Sequence, residues 1–129
     1  MATWEQTKSH LREKFLLAVD EPAWIGLGWK FKAKNGVDDV VQRQRIELAQ
    51  AFGQPHVIVM SDIVPVEKVP ERVVLVHNMT LAIGAIAISE GVYVLRAVLP
   101  LDGVSFEHLD RVLEYVAHEA ARLRESTPP

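Results

Sequence analysis

An Asn-Gly pair at residues 35–36 separates two segments in which apolar and polar side chains alternate. Both residue types readily adopt the positive φ that a two-residue hairpin turn requires. A turn centred on this pair joins residues whose numbers sum to 71, which sets Asp39 opposite Lys32 across an antiparallel ladder. The sequence therefore predicts a β-hairpin whose register is fixed from the turn.

The predicted register brings two arginines next to two glycines on one face of the hairpin. Arg43 falls opposite Gly28, and Arg45 falls opposite Gly26. Glycine inside a strand often marks close approach by another backbone or by a long side chain. We therefore expect the two arginine side chains to lie over the bare glycine backbone.

The opposite face of this hairpin combines Gln42 with Trp29 and Gln44 with Leu27. Two amides make a poor core, so a β-bulge or a slipped register is an alternative to the simple pairing. Residues 40–52 also fit a helical stripe of apolar side chains. Turn signals on both sides of this segment favour a strand.

The other elements are predicted from periodicity and from capping residues. Thr3 and Gln6 form a capping box before a helix at 4–19, and Ser105 caps a last helix with a leucine stripe. Between them the sequence predicts strands at 23–32, 40–52 and 57–60, a short helix at 70–76, and strands at 81–88 and 92–99. We expect one α+β domain at residues 1–125, of order α-β-β-β-α-β-β-α with a largely antiparallel five-stranded sheet packed by helices, and a disordered tail at 126–129.

The two late strands, 81–88 and 92–99, are apolar on both faces. Helices of the same chain cover one face of such a sheet, but the other face then exposes apolar side chains to water. Exposed apolar patches of this kind usually mark interaction sites. The pattern therefore predicts that a second polypeptide completes the sheet.

Composition excludes several classes of function. The 129 residues include 14 basic and 17 acidic side chains, a net charge of −3, and no cysteine. Disulfides, thiolate nucleophiles and zinc knuckles are therefore ruled out, and a dedicated nucleic-acid binder is disfavoured. The polar N-terminus does not resemble a secretory signal, and no apolar run approaches the roughly 20 residues that cross a bilayer, so we expect a cytoplasmic protein.

Catalytic and metal-binding signatures are weak. His118-Glu119 begins like a zinc-protease motif, but Arg122 stands where the second histidine must be. Ser61 and His77 are residue types of a hydrolase, but no nucleophile elbow accompanies them. We expect no enzyme, metal or cofactor; a deep pocket converging on His77 and Ser61 would be the first sign of an enzyme.

One strand face offers a rival function. Lys30, Lys32, Arg43 and Arg45, together with Trp24, have the composition of a basic surface with an aromatic platform for single-stranded nucleic acid. The acidic total charge favours an ordinary solvated face instead.

Several strings in the order of the predicted elements resemble one family. They are Arg43-Gln44-Arg45-Ile46 before the turn at 53–55, Val59-Met60-Ser61-Asp62-Ile63 before a short helix that ends at His77-Asn78, and the segments 84–88, 93–97 and 99–101 before the last helix. Over about residues 5–124 the chain resembles the class I type III secretion chaperones and the YbjN-type proteins. These motifs are structural rather than catalytic.

The resemblance implies a non-enzymatic homodimer that shields segments of a client protein with hydrophobic patches and added strand pairing. We expect the client or partner protein to contact the early strands and the first helix, and the dimer contact to involve the second helix and the fourth predicted strand. The expected protein-binding residues are Trp24, Leu27, Trp29, Arg43 and Arg45. The expected dimer residues are Val74, Leu81, Ile83 and Ile86.

Overall fold

The structure, a computed structural model, describes residues 2–127. Its elements are α1 (Trp4–Lys14), β1 (Leu17–Asp20), β2 (Trp24–Lys32), β3 (Asp39–Ala51), β4 (Gln54–Pro65), α2 (Glu71–Leu75), β5 (Ala85–Ser89), β6 (Val92–Pro100) and α3 (Phe106–Ser126), with short 3₁₀ turns at Val66–Lys68 and Val76–Met79. Every paired strand is antiparallel, and the six strands form one sheet of order β1-β2-β3-β4-β6-β5. The fold is α+β.

The first helix is shorter than its sequence pattern predicts, and a sixth strand follows it. The capping box of Thr3 and Gln6 is formed, but α1 ends at Lys14 and Phe15 is its extended C-cap. Residues 17–20 then pair with the outer edge of β2. The helix predicted at 4–19 was therefore wrong beyond residue 14. Residues 17–20 form backbone hydrogen bonds with the edge of β2, and the helical periodicity of the sequence does not reveal that edge.

The predicted register of the first hairpin is correct, but the turn is not a two-residue turn. Lys32 pairs with Asp39, and the whole β2–β3 ladder keeps that register without a bulge. Gly36 has a positive φ of 72°, whereas Asn35 does not. The side chain of Asn35 instead accepts hydrogen bonds from the backbone N–H groups of Val37 and Asp38, which shapes a longer loop.

The strand predicted at 81–88 begins only at Ala85. Gly84 before it has a φ of 78°, and a Cβ added there would lie 2.6 Å from the carbonyl oxygen of Arg96. The close contact between the backbones of Gly84 and Arg96 marks the boundary between the loop at 81–84 and β5. At the other end of the chain, α3 runs to Ser126 with Thr127 as its C-cap, and residues 128–129 of the predicted tail lie outside the described residues.

All three helices pack on one face of the sheet and form the core with it. Leu11 of α1, Val74 of α2 and Leu113 of α3 belong to the same buried cluster as Ile46 and Leu95 of the strands. Gln42 and Gln44 also lie on this face.

Gln42 and Gln44 are buried, and hydrogen bonds satisfy most of their amide groups. The Gln44 Oε1 atom accepts a hydrogen bond from Trp29 Nε1 at 2.8 Å, and its Nε2 donates to the carbonyl of Leu113 at 2.8 Å. Gln42 Nε2 donates to the carbonyl of Asp62 at 2.6 Å. These bonds offset much of the cost of burying the amides, with only Gln42 Oε1 left without a partner among the described residues, and the ladder keeps its simple register.

Across residues 2–127, no helix combines the length and the apolar composition needed to cross a bilayer.

Candidate protein-binding surfaces

The face of the sheet opposite the helices, here called the open face, has no helix over it within the described residues. A groove of about 850 Å³ crosses it, lined by strand residues and by Glu90 of the β5–β6 turn. Cross-strand pairing places Gly26, Arg45, Met60, Arg96 and Ala85 in one row of this face. Among the described residues no helix therefore covers the late strands on this side, although Val94 of β6 is itself buried there.

Trp24 and Arg45 form a stacked pair on the open face. The guanidinium carbon of Arg45 lies 4.0 Å from the centre of the Trp24 ring, and Arg45 Nε lies 3.5 Å from a carboxylate oxygen of Glu47. Such cation–π contacts hold a side chain in place without burying its charge. Because Arg45 covers the indole, Trp24 does not offer the bare aromatic platform that the nucleic-acid alternative requires.

The two glycines of β2 have different surroundings. A Cβ added at Gly26 would meet Val19 at 3.4 Å and the Trp24 ring at 3.6 Å, whereas a Cβ at Gly28 would meet nothing within 4 Å. The expectation that Arg43 and Arg45 lie over the glycines was therefore wrong. Arg45 turns towards Trp24, and no side chain of residues 2–127 covers Gly28.

Arg43 faces the groove without a partner. Among the described residues its guanidinium makes no ion pair, even though Asp62 also lines the groove. The floor between the charges is apolar and includes Met60 and Val94. The open face thus combines a guanidinium that has no ion-pair partner with apolar side chains. Protein interfaces have a similar composition, because arginine and methionine are enriched there and lysine is depleted.

The structure separates the predicted protein-binding residues between the two faces. Trp24, Arg43 and Arg45 lie on the open face, but Leu27 is only 3% exposed in the core, and Trp29 lies on the helix side with its Nε1 bound to Gln44. A single surface made of all five is therefore excluded. Strand alternation separates even-numbered from odd-numbered residues of β2, and this signal was present in the sequence.

Arg96 and Val94 belong to the open face but were not among the predicted site residues. Arg96 pairs with Met60, and Val94 pairs with Asp62. The local sequence does not reveal that Arg96 and Val94 lie on the open face. Their position depends on the pairing of β6 with β4, and no short turn joins these two strands.

The residues expected in a dimer contact lie mostly inside the protomer. Val74 and Ile86 are buried in the core, while Leu81 and Ile83 are partly buried against it. Their burial by the protomer itself removes Val74 and Ile86 from a direct contact with a second chain. The apolar side chains that solvent reaches are their neighbours, here called the α2 patch: Val73, Leu75, Val76 and Met79.

The hydrolase alternative finds no support in the arrangement of its residues. Ser61 is buried, and its hydroxyl oxygen has no hydrogen-bond partner among the described residues. His77 lines a small apolar pocket that does not include Ser61. Within the same residues, no three His, Asp or Glu side chains are grouped closely enough to hold a metal ion.

Comparison with known proteins gives structural neighbours only. No protein-family model and no curated protein sequence matches the chain. The fold is similar to a chain in the HopA1-SchA chaperone-effector complex, with a TM-score of 0.59 and 15% identity over 92% of this chain and 88% of that one. It is also similar to a chain in the ExsC-ExsE complex, with a TM-score of 0.63 and 13% identity over 96% of this chain and 94% of that one. At sequence identities this low, the similarity shows a shared fold alone.

Proposed function

We propose that this protein is a non-enzymatic, cytoplasmic protein-binding module of the type III secretion chaperone kind, which binds a client or partner protein as a homodimer. It needs no cofactor for this role. The observation that carries the proposal is the one-sided sheet, whose helices all pack on one face while a groove crosses the other. The neighbouring folds come from complexes of two named proteins, one of them a chaperone with its effector, and this supports the same role.

In this proposal, the client and the second copy use different surfaces. The client contacts the open face at Trp24, Arg43 and Arg45, while Leu27 and Trp29 support β2 from the core side. The second copy contacts the α2 patch, where Met79 is 89% exposed and Val76 is 62% exposed. Leu81 and Ile83, which are partly buried beside it, lie at the border of this contact.

The homodimer is tested by sedimentation velocity on the wild type and on a Val76→Asp, Met79→Asp variant. A charge buried against an apolar partner surface is costly unless it is paired, so the variant should be monomeric at micromolar concentration while the wild type is dimeric. Val37→Asp changes a valine in the β2–β3 loop whose exposure lies between those of Val76 and Met79, and should leave the dimer intact. A monomeric wild type at tens of micromolar would contradict the dimer.

Client binding is tested by mild purification from the native host. A chaperone of this kind should carry a second polypeptide in a fixed stoichiometry, and a segment of that polypeptide should resist limited proteolysis only in the complex. A protein that is isolated alone, and that protects no segment of any co-expressed candidate client, would contradict the function.

A further inference from the structure

Gly28 is a glycine that the protomer itself does not require. It lies inside β2, pairs with Arg43, and has no positive φ. A Cβ at this position would point into open space. Neither a turn nor close packing within the described residues therefore explains the glycine.

A glycine in a strand has a measurable cost. It is less favourable there than alanine, because its backbone loses more freedom on folding. Strand glycines without a local reason commonly mark a place where a ligand or another backbone comes close. At Gly28, that approach must come from outside the protomer.

The groove around Gly28 indicates the chemistry of the approaching group. The guanidinium of Arg43, on the neighbouring strand, has no carboxylate partner among the described residues. The floor is apolar: Met60, two strands away from Gly28, is partly exposed, and Val94, three strands away, is buried. A polypeptide that complements this groove thus places a carboxylate near Arg43 and apolar side chains over the neighbouring strands that carry Met60 and Val94.

We propose that the open face binds an extended segment of a partner protein, with the partner main chain passing over Gly28 and an acidic side chain bound to Arg43. This inference rests on the proposed function, namely that the chain binds another protein, and it assigns the place and the chemistry of contact. A polypeptide is favoured over a nucleic acid because Arg45 already covers Trp24, at 4.0 Å from the ring centre.

The proposal separates binding from folding at a single position. Gly28→Val adds a Cβ that has no protomer atom within 4 Å and a β-branched side chain that suits a strand, so the free energy of unfolding should stay equal or rise. The same side chain fills the space that the partner main chain needs. Gly26→Ala is the matched control, because its added methyl lies against Val19 and the Trp24 ring rather than in open space.

The experiment measures binding of fluorescent probes to the full chain by anisotropy. One probe is a peptide of about twelve residues that alternates Glu and Val, which is long enough to cross the sheet when extended. The second probe replaces Glu by Lys, and the third is an oligothymidylate. Each is titrated with wild type, Gly28→Val, Gly26→Ala and Arg43→Glu.

Wild type should bind the Glu-Val peptide, and Gly28→Val should weaken that binding by at least about tenfold, while Gly26→Ala should change it less than about twofold. Arg43→Glu should lose the Glu-Val peptide and gain the Lys-Val peptide. Unfolding in urea should show Gly28→Val to be as stable as wild type.

Three results of the titrations overturn the inference: no binding of the Glu-Val peptide to wild type, equal binding by Gly28→Val, or preferential binding of the oligothymidylate. Dissociation of a wild-type dimer by Gly28→Val would assign this face to a second copy and also overturn it. If the dimer and a co-purified client persist in Gly28→Val, only the placement over Gly28 is wrong and the proposed function stands.

Discussion

At the scale of single residues, a small ion network holds β1 against α1. Lys8 is almost fully buried, and its Nζ atom donates to the carbonyl of Glu21 at 2.9 Å and lies 3.2 Å from Asp20. Arg12 donates to the same carboxylate from Nε at 2.7 Å. These bonds, that from Arg12 above all, lower the pKa of Asp20 from 3.8 to about 2 and so stabilise its charged form.

The lowered pKa of Asp20 predicts a specific loss of stability in acid. Because the folded pKa lies below the unfolded value, the contribution of Asp20 is complete above about pH 4 and disappears as the pH falls towards 2. Urea unfolding between pH 5 and pH 2 should show a smaller acid loss for Asp20→Asn than for wild type. Glu13→Gln, on the exposed side of α1, is the control and should follow the wild-type curve; equal pH dependence in all three proteins would contradict the role of Asp20.

At the scale of elements, the α2 segment is fixed to the sheet by two hydrogen bonds. The buried hydroxyl of Tyr93 in β6 donates to the carbonyl of Val69, just before α2, at 2.7 Å. Asn78 after α2 accepts a hydrogen bond from the backbone N–H of Ile86 at 2.6 Å, at the start of edge strand β5. A helix of only five residues is not stable by itself, so these anchors hold the α2 patch in position.

Tyr93→Phe tests the first anchor. Removing the hydroxyl leaves the carbonyl of Val69 without its partner in a buried setting, which should cost about 1–3 kcal/mol in the free energy of unfolding. Tyr115→Phe removes a hydroxyl that accepts from the exposed N–H of Ala82, where water can replace it, and should cost less. Urea unfolding measures both, and amide exchange should be faster at α2 in Tyr93→Phe. An equal loss in the two variants would show that the Val69 bond has no special role.

At the scale of the whole molecule, the sheet has a core on one side and a groove on the other. The α2 patch lies at the edge of the helix layer, and its exposed valine, leucine and methionine side chains are the largest reason to expect a second copy there. Apolar surface buried between two copies would add to the stability of each. Folding and dimerisation would then be coupled.

This coupling predicts that the melting temperature depends on protein concentration. For a dimer of two chains of 129 residues, a tenfold increase in concentration should raise Tm by about 3 °C. The Val76→Asp, Met79→Asp variant should melt at one temperature throughout the range. Scanning calorimetry over two decades of concentration decides this, and a constant Tm for wild type would exclude a dimer linked to folding.

The sequence by itself determined the local features, because their causes lie within a few residues. The capping box at Thr3, the cap at Ser105 and the register around residues 35–36 are all formed as predicted. Each depends on backbone hydrogen bonds or turn geometry between close neighbours. The α+β class followed from the order of these elements.

Only the tertiary structure decided which surfaces remain available. Residues 17–20 joined the sheet because the edge of β2 was there to pair with, and Val74 and Ile86 turned into the core because α2 packs beside β5. Gly28 lacks a cover because the side chain of Arg43, its partner on β3, does not come within 4 Å of a Cβ built at that position. Such outcomes depend on contacts between segments distant in the chain, and residue periodicity carries no information about which of those segments meet.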